Sequence, residues 1–347
     1  MNKAFSIPVL DRAAMLAVAS HLDRKTKPVG SLGRLEELAI HLAGMTGSAS
    51  SFKRKIVLVA AGDHGVAAQG VSAYPAEVTP QMVMNFLKGG AAINVLARHS
   101  GAKVRVVDAG VRGVPFAPHP DLMDFKIGQG TADMTLGPAM THEQAERCLE
   151  VGRLAVERLV AEGLDMLATG DMGIGNTTAS SAIAAAVLKM PVKEMTGRGT
   201  GIDATAWERK VAVIDLALSV NAPDPKDPID ILAKVGGFEI GVLAGVMLEA
   251  SRRRIPIVLD GFISGAAAIL AVLVNRECRH FMLASHQSVE IGHRHVLEYL
   301  GLRPYLNLDL RLGEGSGAAI CFHLVDAASA ILDEMETFES AGVSERE

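Results

Sequence analysis

Aromatic residues are scarce in this sequence. Trp, Tyr and Phe together make up 4% of 347 residues, and only one is Trp. With few large rings to fill a sandwich, and with abundant Ala and Gly, the chain favours close helix–sheet packing in an α/β protein over a β-sandwich. Cysteine is also rare. Cys148, Cys278 and Cys321 are widely spaced, form no Cys-x-x-Cys and give no disulfide framework. They read as buried core thiols of a reducing cytoplasm. Positive charge is not in excess: 34 Lys and Arg stand against 39 Asp and Glu, a formal net charge of −5. That argues against nucleic acid or an anionic membrane as the main partner. The longest apolar run, around Ala266 to Val274, is too short to cross a bilayer, and the N-terminus has no signal-peptide core. These absences point to a soluble cytoplasmic protein. Two nucleotide fingerprints are missing as well. The glycine loops lack the Lys before Ser/Thr of a Walker A motif and the spacing of the dinucleotide motif.

What is present suffices for a substantial core. Apolar residues are 49% of the chain, and the length suits one large domain with an appendage. Residues 11–23 and 31–45 read as two amphipathic helices, with Asp11 and Ser31 as N-caps. No strand precedes them, so they lie outside the main sheet. Short apolar strands then alternate with helical segments. They start near Lys55, Val104, Leu164, Ile255 and His280, and the last begins at Leu306. Six such strands imply a mostly parallel doubly wound sheet. Residues 112–141, with Pro115, Pro118, Pro120 and Pro138, read as a long excursion, and a helix is expected from about Phe238 to Arg253.

Every one of these strands ends in polar or glycine residues, and in open α/β sheets ligands bind beyond the carboxyl ends of strands. One large site along that edge follows. The stretch Gly170-Asp171-Met172-Gly173-Ile174-Gly175-Asn176-Thr177-Thr178 follows a strand and opens an Ala-rich helix. Its glycine N–H groups, hydroxyls and helix start make a phosphate cradle, or a plain cap by Asn176 or Thr177. A second glycine loop, Gly197-Arg198-Gly199-Thr200-Gly201, precedes a helix on which Lys210 stands; Arg198 and Lys210 are placed to neutralise the same phosphate. Glu314 lies inside Gly313-Glu314-Gly315-Ser316-Gly317. Apolar surroundings at such a turn can raise a carboxyl pKa into the range of a general base, and the turn's bare N–H groups can hold an anion. His286, Glu290, His293 and His295 cluster in sequence, but the spacing is not HExxH, and His293 and His295 would point to different sides of a helix. No metal site is expected. Gly62-Asp63-His64-Gly65 reads either as a turn or as the seat of a catalytic or ligating His64.

Taken together, these stretches resemble the nicotinate-nucleotide:5,6-dimethylbenzimidazole phosphoribosyltransferase family. The resemblance rests on Thr26-Lys27-Pro28, Ala61-Gly62-Asp63-His64-Gly65, Gly70-Val71-Ser72-Ala73-Tyr74-Pro75, Gly170 to Thr178, Gly197 to Asp203, Leu259 to Ala267, Ser285 to His293 and Leu312 to Ala319. It implies a Rossmann-like, mostly parallel sheet with helices on both faces, as a large catalytic domain over 51–329. A small helical domain would come from both chain ends, 1–50 and 330–347. It implies a homodimer and no cofactor. The implied reaction transfers phosphoribosyl from nicotinate mononucleotide to the benzimidazole with inversion at the anomeric carbon, in assembly of the cobalamin lower ligand. By the same resemblance Glu314 is the general base, and Asp171, where many members carry Glu, is a second acid near the incoming base. Phosphate contacts fall on Gly175, Asn176, Thr177, Gly199, Gly201 and Lys210. The nicotinate side falls near Gly261 and Ser288, and the benzimidazole pocket near Tyr74, Gln81, Met172 and Leu312. A Rossmann-type oxidoreductase and a nucleotide-binding sensor without chemistry are the rival classes. The missing fingerprint spacing counts against the first and the retained Glu314 against the second.

Overall fold

A computed structural model describes residues 6–48 and 52–344. The strands are β1 (Lys55–Gly62), β2 (Ala102–Gly110), β3 (Leu122–Asp124), β4 (Met166–Met172), β5 (Ile257–Leu259) and β6 (Met282–Ala284). They form one sheet in the order β3-β2-β1-β4-β5-β6, and every neighbouring pair is parallel. This is a Rossmann-like order that reverses direction between β1 and β4, and a ligand crevice opens at such a switch point beyond the carboxyl ends of the strands.

The helices fall into groups along the chain. α1 (Arg12–Asp23) and α2 (Arg34–Thr46) precede the sheet; α3 (Val78–Leu87) and α4 (Ala92–His99) join β1 to β2; α5 (His142–Ala161) leads into β4. After β4 come α6 (Asn176–Leu188), α7 (Val192–Met195), α8 (Ala204–Asn221), α9 (Pro228–Val235) and α10 (Phe238–Arg252). The remainder are α11 (Phe262–Val274), α12 (Ile291–Leu300), α13 (Ser316–Glu334) and α14 (Phe338–Ala341). β1 is buried along its whole length, so both faces of the sheet are covered. Two successive residues of β4 show the layers. The Thr169 hydroxyl meets Ser264 of α11 at 2.9 Å, whereas Gly170 lies against the Glu314 main chain at the start of α13; adjacent side chains of a strand face opposite ways. α10 is buried on all sides from Phe238 to Ser251, the mark of a core helix, and its two buried carboxylates are paired, Glu239 with His64 and Glu249 with Arg252 and Arg253. Where it crosses α5, Gly152 and Gly245 leave no room for a Cβ against the opposite backbone. This is the close packing that the lack of aromatics foreshadowed.

Three local expectations need correction. The segment from Leu306 is not a strand. It makes only a single parallel bridge, to His286, because Asp309 takes a φ of 53° and the left-handed region ends extended pairing. The sixth strand is instead β3, a three-residue edge strand hidden inside the proline-rich excursion. Ser31 does not cap α2. Gly33 occupies that position, and the Leu32 N–H donates to Glu36 Oε1 at 2.9 Å, while Lys27 pairs with the same carboxylate at 2.9 Å. Asp11 does cap α1, accepting from the Ala14 N–H.

The two chain ends are tied together. Lys25 bridges to Thr337, the Phe338 N–H donates to Arg24 O at 3.0 Å, and Lys25 Nζ donates to Leu332 O at 2.8 Å. The expected junction at residues 50–51 lies outside the described residues, and the one at 329–330 falls inside α13, which runs unbroken to Glu334. α13 has the length and apolar composition of a membrane span, but Ala318, Ala319, Cys321, Phe322 and Val325 are buried in the core. All three cysteines are buried and free.

Candidate active site

The carboxyl ends of β4, β5 and β6 converge on a cleft of about 660 Å³ that opens to solvent. Its floor is the β4–α6 turn, Asp171 and Gly173 to Thr177; its walls include Gly199, Thr200, Gly261, Phe262, His286, Ser288, Glu290 and Arg311 to Gly313. Sequence reasoning placed Gly175, Asn176, Thr177, Gly199, Gly261, Ser288, Leu312 and Asp171 in one site, and the fold brings these residues together.

At the start of α6 the expected cradle has a defined centre. Neither Asn176 nor Thr177 caps α6. Gly175 occupies the cap with no side-chain hydrogen bond, because the Asn176 amide is drawn back to Asp171 Oδ2 at 2.9 Å. Lys210 reaches this helix start from α8. It is fully buried, and its Nζ donates to Thr177 Oγ1 at 2.8 Å. Burial lowers its pKa to about 8, opposed only by the nearby Glu290 carboxylate. A buried ammonium with one hydroxyl partner is poorly compensated, and an arriving anion supplies what is missing. Arg198 is exposed and does not line the cleft. Arg311 stands there instead, its guanidinium 3.5 Å from Gly199 O, and it also lies beside Gly201.

The acidic end holds three carboxyls. Glu314 is buried, with Oε2 unpartnered. Burial pushes its pKa up to about 7, against one N–H bond from Ile93. Its backbone sits at φ 64°, a region that non-glycine residues seldom adopt. Glu314 follows the cleft-lining Leu312 and Gly313 in the chain but does not itself line the cleft. Asp171 is pushed well above the ordinary carboxylate range, by burial first and then by the charges of Asp260 and Glu239. Asp260 accepts main-chain N–H groups from Gly315, Gly317 and Ala318. Burial raises the Asp260 pKa to about 7 against these three N–H bonds, and the helix start expected to hold an anion is already taken by this side chain of the protein itself.

Other expected residues separate from the cleft. Met172 is buried at the end of β4, while Tyr74 and Gln81 are exposed on and before α3, and none of the three lines the cleft. His64 turns into the core, where Nε2 lies 2.6 Å from Glu239 Oε1; it packs beneath Gly173 and Gly175. His286 and His293 are neutral imidazoles, lowered by burial to about 4 and about 3. His293 Nδ1 accepts the Ser288 N–H at 3.0 Å, and His295 turns to Glu298. Among the described residues no three His, Cys, Asp or Glu are grouped to hold a metal ion. Sequence reasoning missed Arg311 and Asp260, and it weighed Glu290 and His286 only as metal ligands. For Asp260 the signal was available in the polar ending of its strand; Arg311 carried none.

A family profile described as Phosphoribosyltransferase matches residues 7–343. The nicotinate-nucleotide–dimethylbenzimidazole phosphoribosyltransferase of Chloroflexus aurantiacus is 55% identical over 340 residues, covering 98% of this chain and 96% of that protein. The protein of the same name from Geobacter sulfurreducens is 53% identical, covering 97% and 96%. The crystal structure of CobT from Thermus thermophilus superposes with a TM-score of 0.91 at 48% identity, covering 96% of this chain and 99% of that one. Together with the Rossmann-like strand order and the site at its switch point, these similarities establish that the chain belongs to the nicotinate-nucleotide–dimethylbenzimidazole phosphoribosyltransferase family.

Proposed function

We propose that this chain transfers the phosphoribosyl group of nicotinate mononucleotide to 5,6-dimethylbenzimidazole. The products are nicotinate and α-ribazole 5′-phosphate, for the lower ligand of cobalamin. The observation that carries the site assignment is Lys210, a buried ammonium with a hydroxyl as its hydrogen-bond partner, beside the α6 start. It supports the 5′-phosphate at Gly175, Asn176, Thr177, Gly199 and Gly201. The nicotinate ring then lies toward Gly261 and Ser288. Glu290, buried with Oε2 unpartnered, offers an acceptor to sugar hydroxyls on the way. The benzimidazole enters on the Glu314 side, near Met172 and Leu312, with Tyr74 and Gln81 at its mouth.

One benzimidazole ring nitrogen forms a bond to C1′ while the C1′–pyridinium bond breaks. That electron pair returns to the pyridine nitrogen, so nicotinate leaves without needing a proton. The other benzimidazole N–H becomes acidic as its ring charges, and Glu314 accepts that proton. Attack opposite the leaving group inverts the anomeric carbon, and holding both rings in line supplies much of the rate. Release of nicotinate, followed over a panel of benzimidazoles, purines and phenols, tests the assignment. Turnover is expected with dimethylbenzimidazole; release with none of the bases would refute it. Neither nucleophile nor leaving group needs a Lewis acid, so EDTA should leave the rate unchanged. Inactivation reversed by a divalent metal would instead point back to His286 and His293.

Asp171 has a more limited part in this scheme. Burial and the neighbouring charges of Asp260 and Glu239 push the Asp171 carboxyl well above the usual carboxylate range, which favours its neutral form over a role as base, and Asn copies that neutral form. Asp171→Asn should retain kcat within about tenfold, well short of the loss of a positioned base. A loss as large as that of a base would mean that Asp171 ionises when the cationic substrate binds and stabilises the charge developing on the ribose.

We place the enzyme in the cytoplasm, where free buried thiols persist, as a homodimer. Tyr74 and Leu312, each more than half exposed at or near the cleft, are consistent with a second subunit closing the site. α1, α2, α14 and the end of α13, linked through Lys25, would form the smaller helical unit.

A further inference from the structure

We infer that Asp260 is the positioning residue of the catalytic turn: its carboxylate grips the main chain on the C-terminal side of Glu314 and holds that side chain where the attacking base loses its proton. The inference rests on Glu314 being the base. Asp260 ends β5 and is 1% exposed. Oδ1 accepts from Gly317 N–H at 2.8 Å and Ala318 N–H at 3.1 Å, and Oδ2 accepts from Gly315 N–H at 3.2 Å. Its own main chain is fixed from both neighbouring strands. The N–H donates to Thr169 Oγ1 of β4 at 3.3 Å, and the carbonyl accepts from Ser285 Oγ, just beyond β6, at 3.3 Å. The grip therefore ties the turn to the middle of the sheet.

A helix cap needs none of this distant origin. Caps ordinarily come from the residue just before the helix, but Gly315 stands at that position here and has no side chain to offer. The clamped glycines are closely packed. A Cβ on Gly315 would run into Val57, and one on Gly317 into the His286 ring. The clamp closes directly after Glu314, whose φ of 64° persists only if its surroundings over-determine it. Asp260 also adjoins Gly261 in the cleft wall, so one residue couples the nucleotide wall to the base.

A double-mutant cycle separates positioning from plain stabilisation. In Asp260→Asn the amide oxygen can still accept from Gly317 and Ala318, but the Gly315 arm is lost. With saturating substrates, kcat should fall about 10- to 100-fold while nucleotide KM changes less than about threefold. In a Glu314→Gln background the same change should lower kcat by less than about threefold further, because the group being positioned is already gone. Losses that multiply in the double variant would overturn the proposal. So would near-wild-type kcat in Asp260→Asn, or a loss confined to KM or thermal midpoint. If Asp260→Asn does not fold, Asp260→Glu, which keeps the charge on a longer arm, enters the same cycle with the same criteria. Near-wild-type kcat in Glu314→Gln alone would mean that the base assignment had failed, an outcome distinct from multiplying losses.

Discussion

Glu314→Gln should lower kcat by about 10²–10⁴, the usual effect of losing a positioned general base, with nucleotide affinity nearly unchanged. In the proposed arrangement the phosphate is held by Lys210 and the α6 start rather than by Glu314, so the two functions should be separable. The pH profile sharpens the expectation. Burial holds the Glu314 carboxyl at about 7 in the free protein, and the base works only when ionised. kcat/KM of the wild type should therefore fall as pH drops below about 7, toward tenfold per unit. Gln cannot ionise, so its residual activity should lack that limb. Backbone conformation supplies an independent check. A Glu at φ 64° is strained by about 1–3 kcal/mol, and such strain commonly marks a functional residue. Glu314→Gly removes both the strain and the carboxylate. It should melt no lower than the wild type and be as inactive as the Gln variant. A Gln variant with near-wild-type kcat, or a Gly variant that loses activity only by unfolding, would leave Glu314 as a structural residue.

The parts of this site that were legible in the sequence are those where composition and chain position act locally. A glycine-rich turn at the start of an Ala-rich helix largely fixes its own geometry, so the β4–α6 turn and the Glu314 turn could be read before any contact was known, although only the first follows a strand. The parts that were not legible depend on residues meeting from distant segments. Asp260 finds the Gly315–Ala318 N–H groups only because β5 lies in line with the start of α13. Arg311, rather than Arg198, faces the cleft because the segment after Leu306 folds back beside β6 instead of forming a strand. The alternation of Leu and polar residues from 306 to 312 looked like strand period, but Leu308 and Leu312 are more than half exposed and Asp309 breaks the extension. β3 was missed because a three-residue edge strand among prolines leaves almost no period to detect. His64 shows the opposite limit: its motif is specific, yet its partner Glu239 lies on α10, far along the chain.

Lys210→Met should raise the nucleotide KM by roughly 10- to 150-fold, equivalent to about 1.5–3 kcal/mol for a charge-assisted contact, and leave kcat at saturation largely intact. The pH dependence has a definite sign. Burial lowers the free-protein pKa of Lys210 to about 8, and a phosphate dianion requires the protonated amine. Wild-type KM for the nucleotide should be nearly flat around pH 7, about double near pH 8 and rise toward tenfold per unit above that as the free protein loses the proton. The Met variant should show no such rise. Stability should move the other way from affinity. The ammonium is fully buried and donates to a single hydroxyl in the unliganded protein, and its burial outweighs the opposing pull of Glu290, so replacing it with an apolar chain of similar length removes a poorly compensated charge. The ligand-free Met variant should melt at or above the wild-type temperature, while its stabilisation by added nucleotide should shrink, since ligand-linked stability follows affinity. A KM indifferent to both the substitution and pH would place the phosphate elsewhere on the sheet edge. A fall in the ligand-free melting temperature with unchanged KM would make Lys210 a core residue with no part in binding.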